Sequence, residues 1–393
     1  MRECVIIDGV RTANTRAHAQ KGWFRNVRPD EMLTAVYDAL FERNPKIKAE
    51  DVEAVYCGTA NQAGSQNDIA RWAWLAGGFP DTVATNGIGQ QCPSGMAAVE
   101  HAARAIMVGE GDIYVASGVE DMQKVPMMFA MDVPPRVLKY YSMEDLPMGA
   151  TAEKVAEAYK VNRLDMETMA YWSHKKAWEA TQAGKFKQEI VPLQGEEEDG
   201  TKIVVERDQW IRENITMEGM AGMKSPFKEG GVVTAGTSSP LTAGACALLL
   251  MDRAKADKLG LDYTLKYAGG AMAGCDPTMM GIGPIFAVRK LLERMKMAIK
   301  DIDLWELNEA FSSQSLACLR ELGIAQNAPF DNVNVWGGAL ALGHPLGESG
   351  ARIIVTLNNI VKTDRKDVKY VVATLCGGMG NANASLWENV KKK

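Results

Sequence analysis

Gln91-Cys92-Pro93-Ser94-Gly95-Met96-Ala97-Ala98-Val99 puts a cysteine on the doorstep of a helix. Proline suits the first helical position, and Met96, Val99, Ala103 and Met107 then recur along one helical face. A sulfur at that place meets unpaired backbone N–H groups and the positive end of the helix dipole. Both favour the thiolate, the nucleophilic form of cysteine. A small buried apolar residue is the plainer role for a lone cysteine, so chemistry requires partners elsewhere in the chain.

An echo of this stretch supplies them. The helix pattern over residues 96–107, followed by Ile113-Tyr114-Val115-Ala116-Ser117-Gly118, parallels a helix pattern over 351–361 followed by Tyr370-Val371-Val372-Ala373-Thr374. Each helix is entered through a Ser-Gly pair, Ser94-Gly95 and Ser349-Gly350, which points to an internal duplication. Two copies packed about a pseudo-twofold axis would turn the loops entering equivalent helices towards one crevice. One loop carries Cys92 and the other Gly343-His344-Pro345.

The rest of the chain fits an α/β architecture. Strand patterns at 4–7, 52–57 and 112–116 alternate with helix patterns at 29–41, 68–75 and 93–108, as in a sheet covered by helices on both faces. Residues 121–240 break the rhythm with a methionine cluster (Met122, Met127, Met128, Met131), two helices around 152–159 and 165–183, an acidic turn at 196–199 and Gly230-Gly231. Methionine fills cores and also lines adaptable apolar pockets. Residues 1–120 with 241–260 therefore read as one half, 121–240 as an inserted lid, and 261–393 as the second half.

Composition narrows the function. With 393 residues the chain exceeds one ordinary core. A net charge of −5 provides no global field for nucleic acid or an anionic membrane. Seven scattered cysteines and four histidines form neither a C-x-x-C pair nor a ligand cluster, which argues against a disulfide framework and a metal site. The N-terminus has no basic and then apolar leader pattern and no apolar run reaches membrane-spanning length, so the protein reads as cytoplasmic.

Four motifs in order, Cys92-Pro93-Ser94-Gly95, Asn308-Glu309-Ala310-Phe311, Gly343-His344-Pro345-Leu346-Gly347 and Cys376-Gly377-Gly378-Met379-Gly380, resemble those of the thiolase family over essentially the whole chain. The resemblance implies a duplicated fold of two five-layer α-β-α-β-α halves with an inserted lid, and CoA-dependent cleavage of a 3-oxoacyl-CoA to acetyl-CoA and a shortened acyl-CoA. By the same likeness Cys92 is the nucleophile, His344 its base and Cys376 the acid for the departing carbon. Asn308 and His344 organise one oxyanion hole, and the backbone of Cys92 and Gly378 forms the other. Coenzyme A is a co-substrate and no cofactor is bound permanently. Ser239, Met148, Phe227, Ala235, Ala310 and Phe311 would line the pantetheine path, with Arg212 near the nucleotide end. The likeness also implies a homodimer or homotetramer, associating with other β-oxidation enzymes. Rival readings are an acetoacetyl-CoA-forming acetyltransferase, a condensing enzyme acting on carrier-protein substrates, and a catalytically impaired acyl-CoA-binding subunit. Two departures from the family pattern stand out. The turn after Cys376 reads as about two residues short, and Glu348 occupies a small-residue position, where it would either raise the pKa of His344 or point to solvent.

Overall fold

Nine strands carry the architecture: β1 (Cys4–Arg11), β2 (Ala54–Gly58), β3 (Ala84–Ile88), β4 (Ile113–Asp121), β5 (Thr242–Asp252), β6 (Leu265–Gly274), β7 (Leu304–Leu307), β8 (Tyr370–Gly377) and β9 (Asn381–Asn389). The principal helices are α1 (Pro29–Arg43), α2 (Ile69–Ala76), α3 (Ser94–Val108), α4 (Met148–Ala158), α5 (Arg163–Gln182), α6 (Gly283–Met295), α7 (Ser312–Glu321) and α8 (Leu346–Thr363). The structure, a computed structural model, describes residues 1–127 and 129–390, so Met128 of the methionine cluster lies outside the described residues.

The duplication is explicit in the sheet. The first half runs β3-β2-β4-β5-β1 and the second β7-β8-β9-β6, joined through the single pair Val5 and Lys266. In the first half β2 and β4 are parallel, while β4 with β5 and β5 with β1 are antiparallel. In the second, β7 and β8 are parallel, while β8 with β9 and β9 with β6 are antiparallel. Thus β7, β8, β9 and β6 repeat β2, β4, β5 and β1 in order and sense. A lone parallel bridge from Trp305 to Val333 stands where β3 would recur.

The five layers are shared between the halves. Helices α1 and α2 cover the outer face of the first sheet, α6 covers the outer face of the second, and α3 and α8 pack against each other between them. Glycines set that crossing. A Cβ on Gly95 would lie 2.6 Å from the Gly347 carbonyl oxygen, and one on Gly350 would lie 2.5 Å from the Met96 nitrogen. The two Ser-Gly pairs read as signs of duplication are therefore the contact through which the copies meet.

Strand β4 runs on past the apolar segment recognised in sequence, through Ser117 to Asp121, and is buried throughout. Its polar end escapes a hydrophobicity pattern because those side chains are buried with hydrogen-bond partners, Ser117 on Tyr37 and Tyr56, Glu120 on the Ala60 and Gly347 N–H groups, and Asp121 on the Gln123 and Lys124 N–H groups. Strand β3, Ala-Thr-Asn-Gly-Ile, shows no apolar alternation because it is the largely exposed edge of the sheet. The lid is inserted into the first half in sequence, yet Val155 and Met166 of its helices share a core with Val288, Leu291 and Leu307 of the second half. Among the described residues no helix is long and apolar enough to cross a membrane.

Candidate active site

The nucleophile loop is wound tightly before α3. Gln91 adopts a left-handed φ of 56°, an uncommon conformation for a residue with a side chain. Ser94 stabilises the turn, its Oγ donating to the Gln91 carbonyl at 2.5 Å and accepting from the Gln90 N–H at 2.8 Å. Gln90 and Asn383 of β9 exchange amide hydrogen bonds, tying the loop to the second half.

Cys92 is only 3% exposed. Burial pushes its pKa up to about 11, with the charge of Glu120 acting in the same direction, while the N–H groups of Gly378 and of Cys92 itself pull it down. Desolvation outweighs the helix terminus, so the sulfur rests as a thiol and needs a base.

His344 can serve as that base. Its N–H donates to Thr242 Oγ1 at 2.9 Å, fixing the loop. Its Nδ1 lies 2.6 Å from Ser349 Oγ, and that hydroxyl donates its own proton to the Pro345 carbonyl at 2.8 Å. Ser349 must therefore accept from Nδ1–H, which leaves Nε2 unprotonated beside the Asn308 amide nitrogen at 3.3 Å. Burial and the cation of Arg352 lower the His344 pKa to about 3, so the imidazole is neutral. Ser349 was legible in sequence only as half of a repeated Ser-Gly pair, and its hold on the ring emerges from the fold.

Asn308 follows β7, its N–H donating to Thr374 of β8 at 3.0 Å. Its side-chain oxygen is buried with no hydrogen-bond partner among the described residues, and so has capacity for a water or a substrate group. The adjacent Glu309 anchors the motif by accepting from Ser173 Oγ at 2.6 Å and Asn334 Nδ2 at 2.8 Å. Cys376, at the end of β8, is buried and close enough to Cys92 for their charges to interact, and burial holds its thiol well above the ordinary range. A Cβ on Gly377 would stand 2.4 Å from Pro93 Cδ, so the two cysteine loops are in contact.

The expectations for the two departures fail. The turn after Cys376 keeps its length, with Gly378 and Gly380 two and four residues beyond the cysteine. Ala382, six residues beyond it, is already paired with Ala273 in the sheet. Glu348 neither faces solvent nor raises the pKa of His344. It is wholly buried, and its two oxygens and the three side-chain nitrogens of Arg352 lack hydrogen-bond partners among the described residues. The charge acting on His344 is Arg352, and the shift is downward.

A cavity of about 360 Å³ opens beside Cys92 and Gly378, walled by Met122, Met127, Met131, Met143, Met148, Met280 and Met379. The described part of the methionine cluster thus lines a chamber as well as packing. Of the residues expected along the pantetheine path, only Met148 lines this chamber. Ser239, Ala310, Phe311 and Phe227 form a connected wall. The Ser239 N–H donates to the Ala310 carbonyl at 2.9 Å, and Phe227 stands edge-on to Phe311 with ring centroids 6.0 Å apart. Ala235 opens the short turn that leads into Ser239. Arg212 sits elsewhere, stacked on Trp210 and lining a separate surface groove with Ile215 and Met220.

Comparison with known proteins agrees with this arrangement. Residues 4–254 match the family model described as "Thiolase, N-terminal domain" and residues 262–389 match "Thiolase, C-terminal domain". A "3-ketoacyl-CoA thiolase" of Marinomonas sp. (strain MWYL1) is 44% identical, covering 99% of this chain and 98% of its own length. Another from Marinobacter nauticus is 43% identical, covering 99% of both chains. The crystal structure of the Bacillus anthracis acetyl-CoA acetyltransferase superposes with a TM-score of 0.88 at 35% identity, covering 99% of both. The first half, with the Cys92 motif, falls within one matched segment and the second, with the Asn308, His344 and Cys376 motifs, falls within the other, and the chain therefore belongs to the thiolase family.

Proposed function

We propose that this enzyme is a 3-ketoacyl-CoA thiolase, an acyl-CoA C-acyltransferase that uses CoA to cleave 3-oxoacyl-CoA in fatty-acid β-oxidation. The observation that carries the reading is a buried Cys92 thiol within reach of the Gly378 N–H at the end of an apolar chamber, with the loop of Cys376 in contact with its own and a neutral His344 in the loop that enters α8. Nε2 takes the thiol proton as Sγ attacks the 3-oxo carbon, and the N–H groups of Cys92 and Gly378 hold the resulting alkoxide. The Cα–Cβ bond then breaks and its electron pair passes to the acetyl-CoA carbon. Asn308 and His344 polarise the thioester oxygen of that fragment, and the Cys376 thiol protonates the carbon. The acyl group remains on Cys92 as a thioester. CoA-SH attacks it, giving its proton to Cys376, and the departing Cys92 sulfur takes its proton back from His344 Nε2 as the shortened acyl-CoA is released. CoA is a co-substrate in this scheme, and no step calls on a permanently bound cofactor.

The relatives' names support degradation, while the structural neighbour is an acetyl-CoA acetyltransferase. The methionine-walled chamber favours an acyl chain longer than acetyl. A full-length turn that brings the Gly378 N–H to the sulfur removes the motive for an impaired binding subunit, and the second cysteine sets the site apart from carrier-protein condensing enzymes. Following absorbance loss of 3-oxoacyl-CoAs of increasing length with added CoA tests the reading. Turnover should rise beyond acetoacetyl-CoA, whereas activity confined to acetoacetyl-CoA would assign the acetyltransferase instead. The exposed edge strand β3, with Trp72 60% exposed nearby, is compatible with assembly as a homodimer or homotetramer.

A further inference from the structure

Glu120 is a buried carboxylate that the reaction above does not use. It lies at the end of β4, is 1% exposed, and lines the chamber together with Cys92. Four donors converge on it: the Ala60 N–H at 2.8 Å, the Asn61 N–H at 3.4 Å, Gln66 Nε2 at 2.6 Å and the Gly347 N–H at 2.9 Å. Gly347 belongs to the second half, three residues beyond His344 in the first turn of α8. The others belong to the first half.

The connections extend further. Gln66 Oε1 accepts from the Asp121 N–H at 2.6 Å, and Gln66 Nε2 also donates to the Asn61 carbonyl at 2.8 Å, so the group holds its own shape. The Asn61 side chain donates to the carbonyls of Pro126 and Phe129 at 3.0 and 3.4 Å, where the lid begins. One carboxylate thereby joins the histidine loop of one half, the loop after β2 of the other, and the start of the lid.

The geometry leaves little play. A Cβ on Gly347 would lie 2.5 Å from Thr59 Cα and 2.9 Å from Glu120 Oε2, so the first turn of α8 rests directly on the anchor. All four partners are neutral donors. A protonated carboxyl would present an O–H to groups that cannot accept it, so the bonds favour the carboxylate against the burial that pushes its pKa up to about 7.

We infer that Glu120 is a positioning residue for the reaction. By holding the Gly347 N–H it fixes the turn carrying His344 and Ser349 against the Cys92 loop, and through Asn61 it fixes the lid to the same point. The inference deepens the thiolase reading and rests on Cys92 and His344 as nucleophile and base. Other groups facing the pocket do not duplicate it, because the Gly347 N–H donates to no second acceptor among the described residues.

Glu120→Gln is the test, since the isosteric amide swaps one acceptor oxygen for a donor facing other donors. A shift of about 1 Å at a catalytic group costs on the order of 100-fold. In the folded variant kcat and the single-turnover rate of Cys92 acylation should fall by about 10- to 100-fold, while KM for CoA stays near the wild-type value. An unchanged kcat, or a loss shared equally with KM for CoA, overturns the inference. Should the variant not fold, Gln66→Met removes one donor and keeps the carboxylate. It should lower kcat several-fold at unchanged KM, and a wild-type kcat overturns the inference there too. Failure of the underlying reading looks different, because the wild-type enzyme itself would then carry no acyl group on Cys92.

Discussion

At the scale of single residues, the site depends on side chains whose chemistry is set by burial. Cys92 and Cys376 are held as thiols and His344 as neutral imidazole, so the Cys92 thiol has to pass its proton to a base as its sulfur attacks. Cysteine, histidine and asparagine could be picked out from four short motifs, because those residue types are the ones the reaction needs. Their protonation states could not, since desolvation depends on what the fold stacks around them, and at Cys92 it outweighs the N–H groups that favour the thiolate. Glu348 shows the same limit. Burial raises its carboxyl to about 8, so between its unfolded value near 4.5 and that figure the native state holds a proton that the unfolded chain has released. Stability on this account falls as pH rises through that window. Glu348→Gln should flatten that slope, gaining on the wild type between pH 5 and pH 8.5 by about 2 kcal/mol or more, since each pKa unit is worth about 1.4 kcal/mol. Urea unfolding at the two pH values measures it, and parallel changes in both proteins would show that the carboxyl has no such coupling.

At the scale of elements, α3 and α8 are the pair on which the site is built. Their amphipathic patterns and Ser-Gly entries were legible in sequence, and their crossing follows from glycines that admit no Cβ. Strand β3 was not legible, because an exposed edge carries no alternation. The continuation of β4 was missed because its polar end carries no apolar pattern, Glu120 being satisfied by loops distant in sequence and Asp121 by the N–H groups of Gln123 and Lys124. Gly350→Ala should drive a methyl group into the Met96 backbone, which stands 2.5 Å from the Cβ position. Overpacking of this kind costs about 1–3 kcal/mol. Denaturant unfolding should show that loss together with reduced turnover, because the same crossing sets the helix entrance after Cys92 against the one after His344. A variant as stable and active as the wild type would mean that the helices can part without moving the site.

At the scale of the whole molecule, duplication turns two ordinary helix entrances into one composite active site. In the proposed scheme the first half gives the nucleophile and Glu120, and the second gives base, acid and amide. The lid, inserted in the first, packs on the core of the second and closes the methionine-walled chamber. The repeat was visible because both copies keep the same order of helix and strand. The lid's allegiance was not, since it depends on packing between segments far apart in the chain. The claim on which everything else rests is that catalysis passes through an acyl thioester on Cys92. Mixing the enzyme with a 3-oxoacyl-CoA in the absence of free CoA, quenching in acid and weighing the peptides tests it directly. The Cys92 peptide should gain the mass of the shortened acyl group and lose it again when CoA is added. An unmodified Cys92 peptide, or an acyl group found on another residue, would contradict it.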